Sequence, residues 1–161
     1  MGVSMFRSGI ISDVIVRDLV RYSDGRGWLT EIFRSDEIAA ENLPAMGYVS
    51  VTRPGVTRGP HEHEAQSDFF GFLGPSTFKV YVWDNRQTSP TFMIRQVILA
   101  GEDHPCSVII PPGVVHAYKN VGTGDGLVVN FPNRLFAGRG RKDPVDEIRH
   151  ESDPTSIFLL D

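Results

Sequence analysis

The chain has 161 residues, 40% of them hydrophobic, enough for one domain spanning 1–161 with its own apolar core. Its formal charge of −4, with both signs mixed, excludes the basic footprint of a nucleic-acid binder, and its lone cysteine, Cys106, excludes an internal disulfide. No stretch reaches the roughly 18 unbroken apolar residues of a membrane span, and residues 1–7 lack the pattern of a secretion leader, so the expectation is a soluble, cytoplasmic protein with no membrane partner.

In chain order, Val14 to Val20 reads as a first strand, closed by the turn residues Ser23-Asp24-Gly25. Arg26 to Arg34 alternates, with Trp28, Thr30 and Ile32 on one face and Leu29, Glu31 and Phe33 on the other. Glu31 then either faces solvent at a strand edge or points into a site. Ser35 to Asn42 reads as one short peripheral helix, with Ser35 able to cap, acids in the first turn and Pro44 just beyond the end.

Strands then follow quickly: Tyr48 to Arg53, a turn at Pro54-Gly55, a histidine-bearing strand around Thr57 to His63, and Asp68 to Leu73 before Gly74-Pro75. Phe78 to Asp84, Met93 to Leu99, Ser107 to Ile110, Val115 to Asn120 and Gly126 to Phe131 complete about ten, spaced as a β-sandwich or jelly roll requires. There is no βαβ alternation and no internal repeat. Residues 138–146, with Arg139-Gly140-Arg141-Lys142, read as a solvated loop, and Ile157 to Leu160 as an apolar end able to dock on the barrel or a neighbouring subunit.

Two stretches carry chemistry. In Arg58-Gly59-Pro60-His61-Glu62-His63 the two imidazoles are two residues apart, so on an extended strand they share a face. In Ile110-Pro111-Pro112-Gly113-Val114-Val115-His116 a sharp turn delivers a third imidazole. Three neutral imidazoles with an oxygen from Gln66 or Asp68 would suit a transition metal ion. Alternatively His61, His63 and His116 pair with one another and with Asp84 or Glu31 inside the barrel.

Gly55, His61 and His63, with Pro111, Gly113, His116 and Asn120, resemble the two-motif signature of the cupin superfamily. This implies an all-β, cupin-type double-stranded β-helix, a jelly-roll barrel. A closer resemblance covers most of the chain. Asp24-Gly25-Arg26-Gly27 with Glu31, Arg58-Gly59-Pro60-His61, Asp84-Asn85-Arg86, Ser89-Pro90-Thr91-Phe92, Ile110 to His116 and Asp153-Pro154 resemble the dTDP-4-dehydrorhamnose 3,5-epimerase (RmlC-like) family.

That resemblance implies a metal-free enzyme without a cofactor, an isomerase and usually a homodimer, acting on a dTDP-4-keto-6-deoxyhexose destined for polysaccharide. It makes His61 the base, sets Arg58 on the diphosphate or the enolate edge, and places Arg26 and Glu31 against the nucleotide, often from the other subunit. His116 would line the sugar pocket. Three departures stand out: Ser67 falls where the family has a lysine, Asn130 where it has a tyrosine, and the chain ends at Asp161 without the tail aspartate that orients the base. The paired His61 and His63 also look like the strand of the dTDP-4-keto-6-deoxyhexose 3,4-ketoisomerases. A non-catalytic sugar-nucleotide binder and a metal-dependent cupin using His61, His63 and His116 complete the alternatives.

Overall fold

The computed structural model describes residues 5–161 and contains thirteen strands. In chain order these are β1 (Arg7–Ser8), β2 (Ile15–Asp18), β3 (Tyr22–Asp24), β4 (Gly27–Leu29), β5 (Tyr48–Thr52), β6 (Thr57–Glu62), β7 (Asp68–Phe72), β8 (Thr77–Asp84), β9 (Ile94–Gly101), β10 (Cys106–Ile110), β11 (Val114–Asn120), β12 (Gly126–Asn130) and β13 (Ile148–Arg149). Two sheets face each other, ordered β1-β9-β8-β11-β6-β13 and β2-β10-β7-β12-β5, with β3-β4 as a separate hairpin. Every pairing is antiparallel except the short β1–β9 contact. This is the expected all-β jelly roll.

Alternation explains the layers. Phe78, Val80 and Val82 point from β8 into the space between the sheets, where they meet Phe70, Phe72, Val108 and Tyr118. The opposite face of β8 is buried too. Tyr81 and Trp83 pack with Phe6, Val115 and Phe158 in a second apolar cluster, so the C-terminal stretch docks on its own barrel. His150 Nε2 and Asn85 Nδ2 meet Glu62 Oε1 at 3.0 and 3.1 Å, which ties that segment to β6.

Two expectations need correction. The helix over Ser35–Asn42 does not form; only a 3-10 turn at Ala40–Asn42 is present, and Ala39 before it is extended. Eight residues are too few to nucleate a helix in water, and Arg34 draws Asp36 and Glu37 into local ion pairs that hold a turn. The Arg26–Arg34 strand shrinks to β4, because beyond it Phe33 leaves the hairpin and packs on Phe69 and Phe131, each 5.5 Å away by ring centroid. Among the described residues no helix is long and apolar enough to cross a membrane.

Candidate active site

β6 and β11 lie side by side and their register sets His61 opposite His116. The register slips between that pair and the next, Tyr118 opposite Arg58, so β6 carries one extra residue there. Gly59 supplies it at φ +85, where an added Cβ would stand 2.5 Å from the His116 carbonyl oxygen. The bulge aims His61 at His116, with ring centroids 4.4 Å apart, and His63 follows at 5.7 Å from each. The three imidazoles share one wall, as the sequence spacing requires.

Asp68, at the start of β7, completes the group. Its Oδ1 accepts hydrogen bonds from Gln66 Nε2 at 2.9 Å and Asn130 Nδ2 at 3.0 Å. Its Oδ2 lies 3.0 Å from Nε2 of both His63 and His116. The His63 contact is a well-aligned hydrogen bond, whereas His116 Nε2 lies off the line that a hydrogen bond needs. Burial works against the Asp68 charge, but His116 and His63 outweigh it and hold the carboxyl well below its ordinary range.

The outer nitrogens meet carbonyls. His116 Nδ1 lies 3.1 Å from Val114 O, and His63 Nδ1 contacts Asp146 O. The Asp146 carboxylate accepts from the backbone N–H groups of Glu64, Ala65 and Gln66 at 2.7 to 2.9 Å, fastening the turn between β6 and β7. Burial opposes a charge on His63, yet the bond and charge of Asp68 and the contacts from Asp146 push it up to about 9. His61 differs. Burial first, then His116, lowers it to about 2 against the pull of Asp68, so the imidazole is held neutral. Among the described residues it makes no hydrogen bond.

His61 and His63 line a cleft of about 1410 Å³ together with Arg58, Tyr48 and Tyr118, larger than the roughly 300–1,000 Å³ of a drug-sized site. Arg58 is steadied by Thr52 Oγ1 and Val51 O at 3.0 and 2.9 Å. The loop after β12 forms the opposite wall and brings in Arg134, Arg139 and Arg141, so the basic run is solvated yet faces the site. Arg26 and Glu31 are not brought there: Arg26 pairs with Asp24 in the exposed hairpin and Glu31 with Arg34. Asp84 does not partner the histidines either. It accepts from Arg86, Ser89 and Thr91 at 2.5 to 3.1 Å, which gives that stretch of the motif a structural task.

Sequence reasoning missed Tyr48 and Asp146. Tyr48 lies opposite Asn130 across β5 and β12, and its hydroxyl accepts from Asn130 Nδ2 at 2.8 Å. A phenol thus stands beside the position where Asn130 replaces the expected tyrosine. Asp146 is an aspartate from the C-terminal part that orients His63 rather than His61.

The sequence model of the dTDP-4-dehydrorhamnose 3,5-epimerase family matches residues 9–129. The chain belongs to that family. Within the epimerase family it is 38% identical over 138 residues to the "Probable low-salt glycan biosynthesis epimerase Agl13" of Haloferax volcanii, covering 85% of this chain and 86% of that one. It is 32% identical over 148 residues to the spore coat polysaccharide biosynthesis protein SpsL of Bacillus subtilis, covering 92% and 94%. In fold it resembles the dTDP sugar isomerase of Desulfovibrio desulfuricans G20, with a TM-score of 0.78 over 93% of this chain and 91% of that one at 19% identity. The chain is accordingly an isomerase of the epimerase class.

Proposed function

We propose that the protein epimerises a dTDP-4-keto-6-deoxyhexose, or a sugar nucleotide of the same form, with His61 as the base. The carrying observation is the neutral, unbonded His61 imidazole on the wall of a cleft large enough for a sugar nucleotide. His61 takes the proton from a carbon beside the ketone, and the electron pair passes to the ketone oxygen as an enolate. Return of a proton to the other face of that carbon inverts it. Tyr48, which lines the same cleft, is the group proposed to return it. A base held so low needs help. A diphosphate bound near Arg58, Arg139 and Arg141 would bring negative charge that raises His61 towards working pH.

The ketoisomerase reading asks both His61 and His63 to move protons. Both ring nitrogens of His63 are already engaged, by Asp68 and Asp146, which favours the epimerase. The working unit proposed is a homodimer in which Arg26 and Glu31 reach the partner's nucleotide; their distance from the cleft of their own chain supports this.

The test is incubation with the dTDP-4-keto sugar in deuterium oxide. Deuterium at C3 or C5 with an inverted product is expected, and His61→Asn should slow exchange by about 10²–10⁴-fold while keeping dTDP binding. A 3-keto product would instead establish the isomerase, and binding without exchange would sink the catalytic reading.

A further inference from the structure

We propose, resting on the epimerase reading, that Arg149 is the catalytic cation that receives the negative charge of the enolate, from the strand beside the one that carries the base. Removing a proton from the carbon next to a ketone turns the C–H electron pair into a C=C bond and moves the carbonyl pair onto oxygen, so a full negative charge appears there and calls for fixed donors. Ser67, where the family resemblance expects a lysine, brings no charge. The other cations of the cleft are committed or stand elsewhere. His63 has both ring nitrogens engaged, by Asp146 O and Asp68. Arg58 gives its Nε and one terminal amino group to Thr52 Oγ1 and Val51 O, and Arg134 gives its Nε to Ala65 O. Arg139 and Arg141 belong to the opposite wall.

Arg149 differs in placement and in how it is held. β13 pairs antiparallel with β6 and sets Arg149 directly opposite His61. Residues paired in this way send their side chains to the same face, with Cβ atoms about 4.5–5.5 Å apart, and both of these line the cleft. The charge is felt at the base: after burial, His116 and His63, Arg149 is a further cause that holds His61 low. Its Nε–H donates to Glu147 Oε2 at 2.6 Å, and Glu147 is only 23% exposed, so the guanidinium is anchored along one edge. The two terminal amino groups make no hydrogen bond among the described residues and offer a planar fork to an anionic oxygen. With the His61 ring on the carbon and this fork on the oxygen, proton and charge leave the ketone towards adjacent strands. Arg149 keeps its own protons throughout: the proton His61 gains is balanced by the one returned to carbon, and exchange with solvent resets both groups. Because the contact strengthens only as charge develops on oxygen, it acts on kcat rather than on KM.

The experiment compares the unmodified chain with Arg149→Gln, Arg149→Lys and Glu147→Gln on the dTDP-4-keto sugar in deuterium oxide, with dTDP affinity and melting temperature measured alongside. Arg149→Gln should lower kcat for exchange by about 10²–10³-fold while KM, dTDP affinity and melting temperature hold. Arg149→Lys, which keeps the charge and loses the fork, should recover part of that loss. Glu147→Gln, which keeps the arginine and loses its anchor, should lower kcat by about tenfold with KM again unchanged, and it decides the matter if the Arg149 variants do not fold. Unchanged kcat in a folded Arg149→Gln variant, or a loss confined to KM and dTDP affinity, would overturn the assignment while leaving the epimerase reading in place. An unmodified protein that binds dTDP and exchanges no deuterium would remove both together.

Discussion

At the residue scale, Tyr48 and Asn130 set a phenol on a neighbouring strand beside the position where the family resemblance expects a tyrosine. Asn130 Nδ2 donates to the Tyr48 hydroxyl at 2.8 Å and to Asp68 Oδ1 at 3.0 Å, so the amide bridges the phenol and the carboxylate beneath the histidines. Burial pushes the Tyr48 hydroxyl up to about 12, which keeps its proton in place at neutral pH. If Tyr48 only closes the pocket, Tyr48→Phe should leave abstraction and inversion equally affected. If it returns the proton, the variant should still wash deuterium into the sugar while inverted product falls by about 10²-fold or more. Mass and proton spectra on one reaction separate the two results. No local pattern announces this pair. Tyr48 and Asn130 are 82 positions apart and meet only because β5 pairs with β12. The histidines were legible because their spacing within β6, and the turn before β11, fix their faces locally. Asp68 was visible only as one of two spare oxygens, and it took the closing of β7 against β12 to choose it over Gln66.

At the scale of elements, β6 is the part whose conformation decides the site. Its bulge at Gly59 combines a left-handed backbone with the close approach of the His116 carbonyl, so no other residue fits without movement. Gly59→Ala should therefore cost about 2–3 kcal/mol from strain and displacement. Measured by urea unfolding, the loss should come with a fall in exchange activity larger than instability explains, because the same bulge aims His61. An alanine variant as stable and as active as the unmodified protein would show that the bulge serves neither purpose. The strands themselves were readable from alternation, and nine of the sequence runs return with boundaries shifted by a few residues. The helix over Ser35–Asn42 failed for a local reason: capping and charge signals were present, but no apolar face stood ready to hold so short a helix. Tyr81 and Trp83 mislead in the other direction. Alternation along β8 suggests one wet face, and it is Phe6 from the chain's start and Phe158 from its end that cover it.

For the whole molecule, the outer face of the second sheet is what the single chain leaves unexplained. Val49 and Val51 are 60% and 51% exposed on the edge strand β5, and their cross-strand partners Val129 and Leu127 continue the apolar surface onto β12. Adjacent apolar side chains on an edge strand invite pairing with another chain. A partner laid on this face would also account for Arg26 and Glu31, which the family resemblance assigns to a nucleotide but which stand apart from the cleft of their own chain. The expected outcome in sedimentation is a particle of about twice the 17.9 kDa chain mass. Val49→Asp combined with Val51→Asp should turn it into a monomer, since two carboxylates brought into a dry interface cost more than such contacts return. If the partner completes the site, that monomer should also lose most of its affinity for dTDP, and Arg26→Ala should weaken dTDP binding while the dimer persists. A double-aspartate monomer that still binds dTDP at full strength would confine the whole site to one chain, and Arg26 would then be only the cap of its own hairpin.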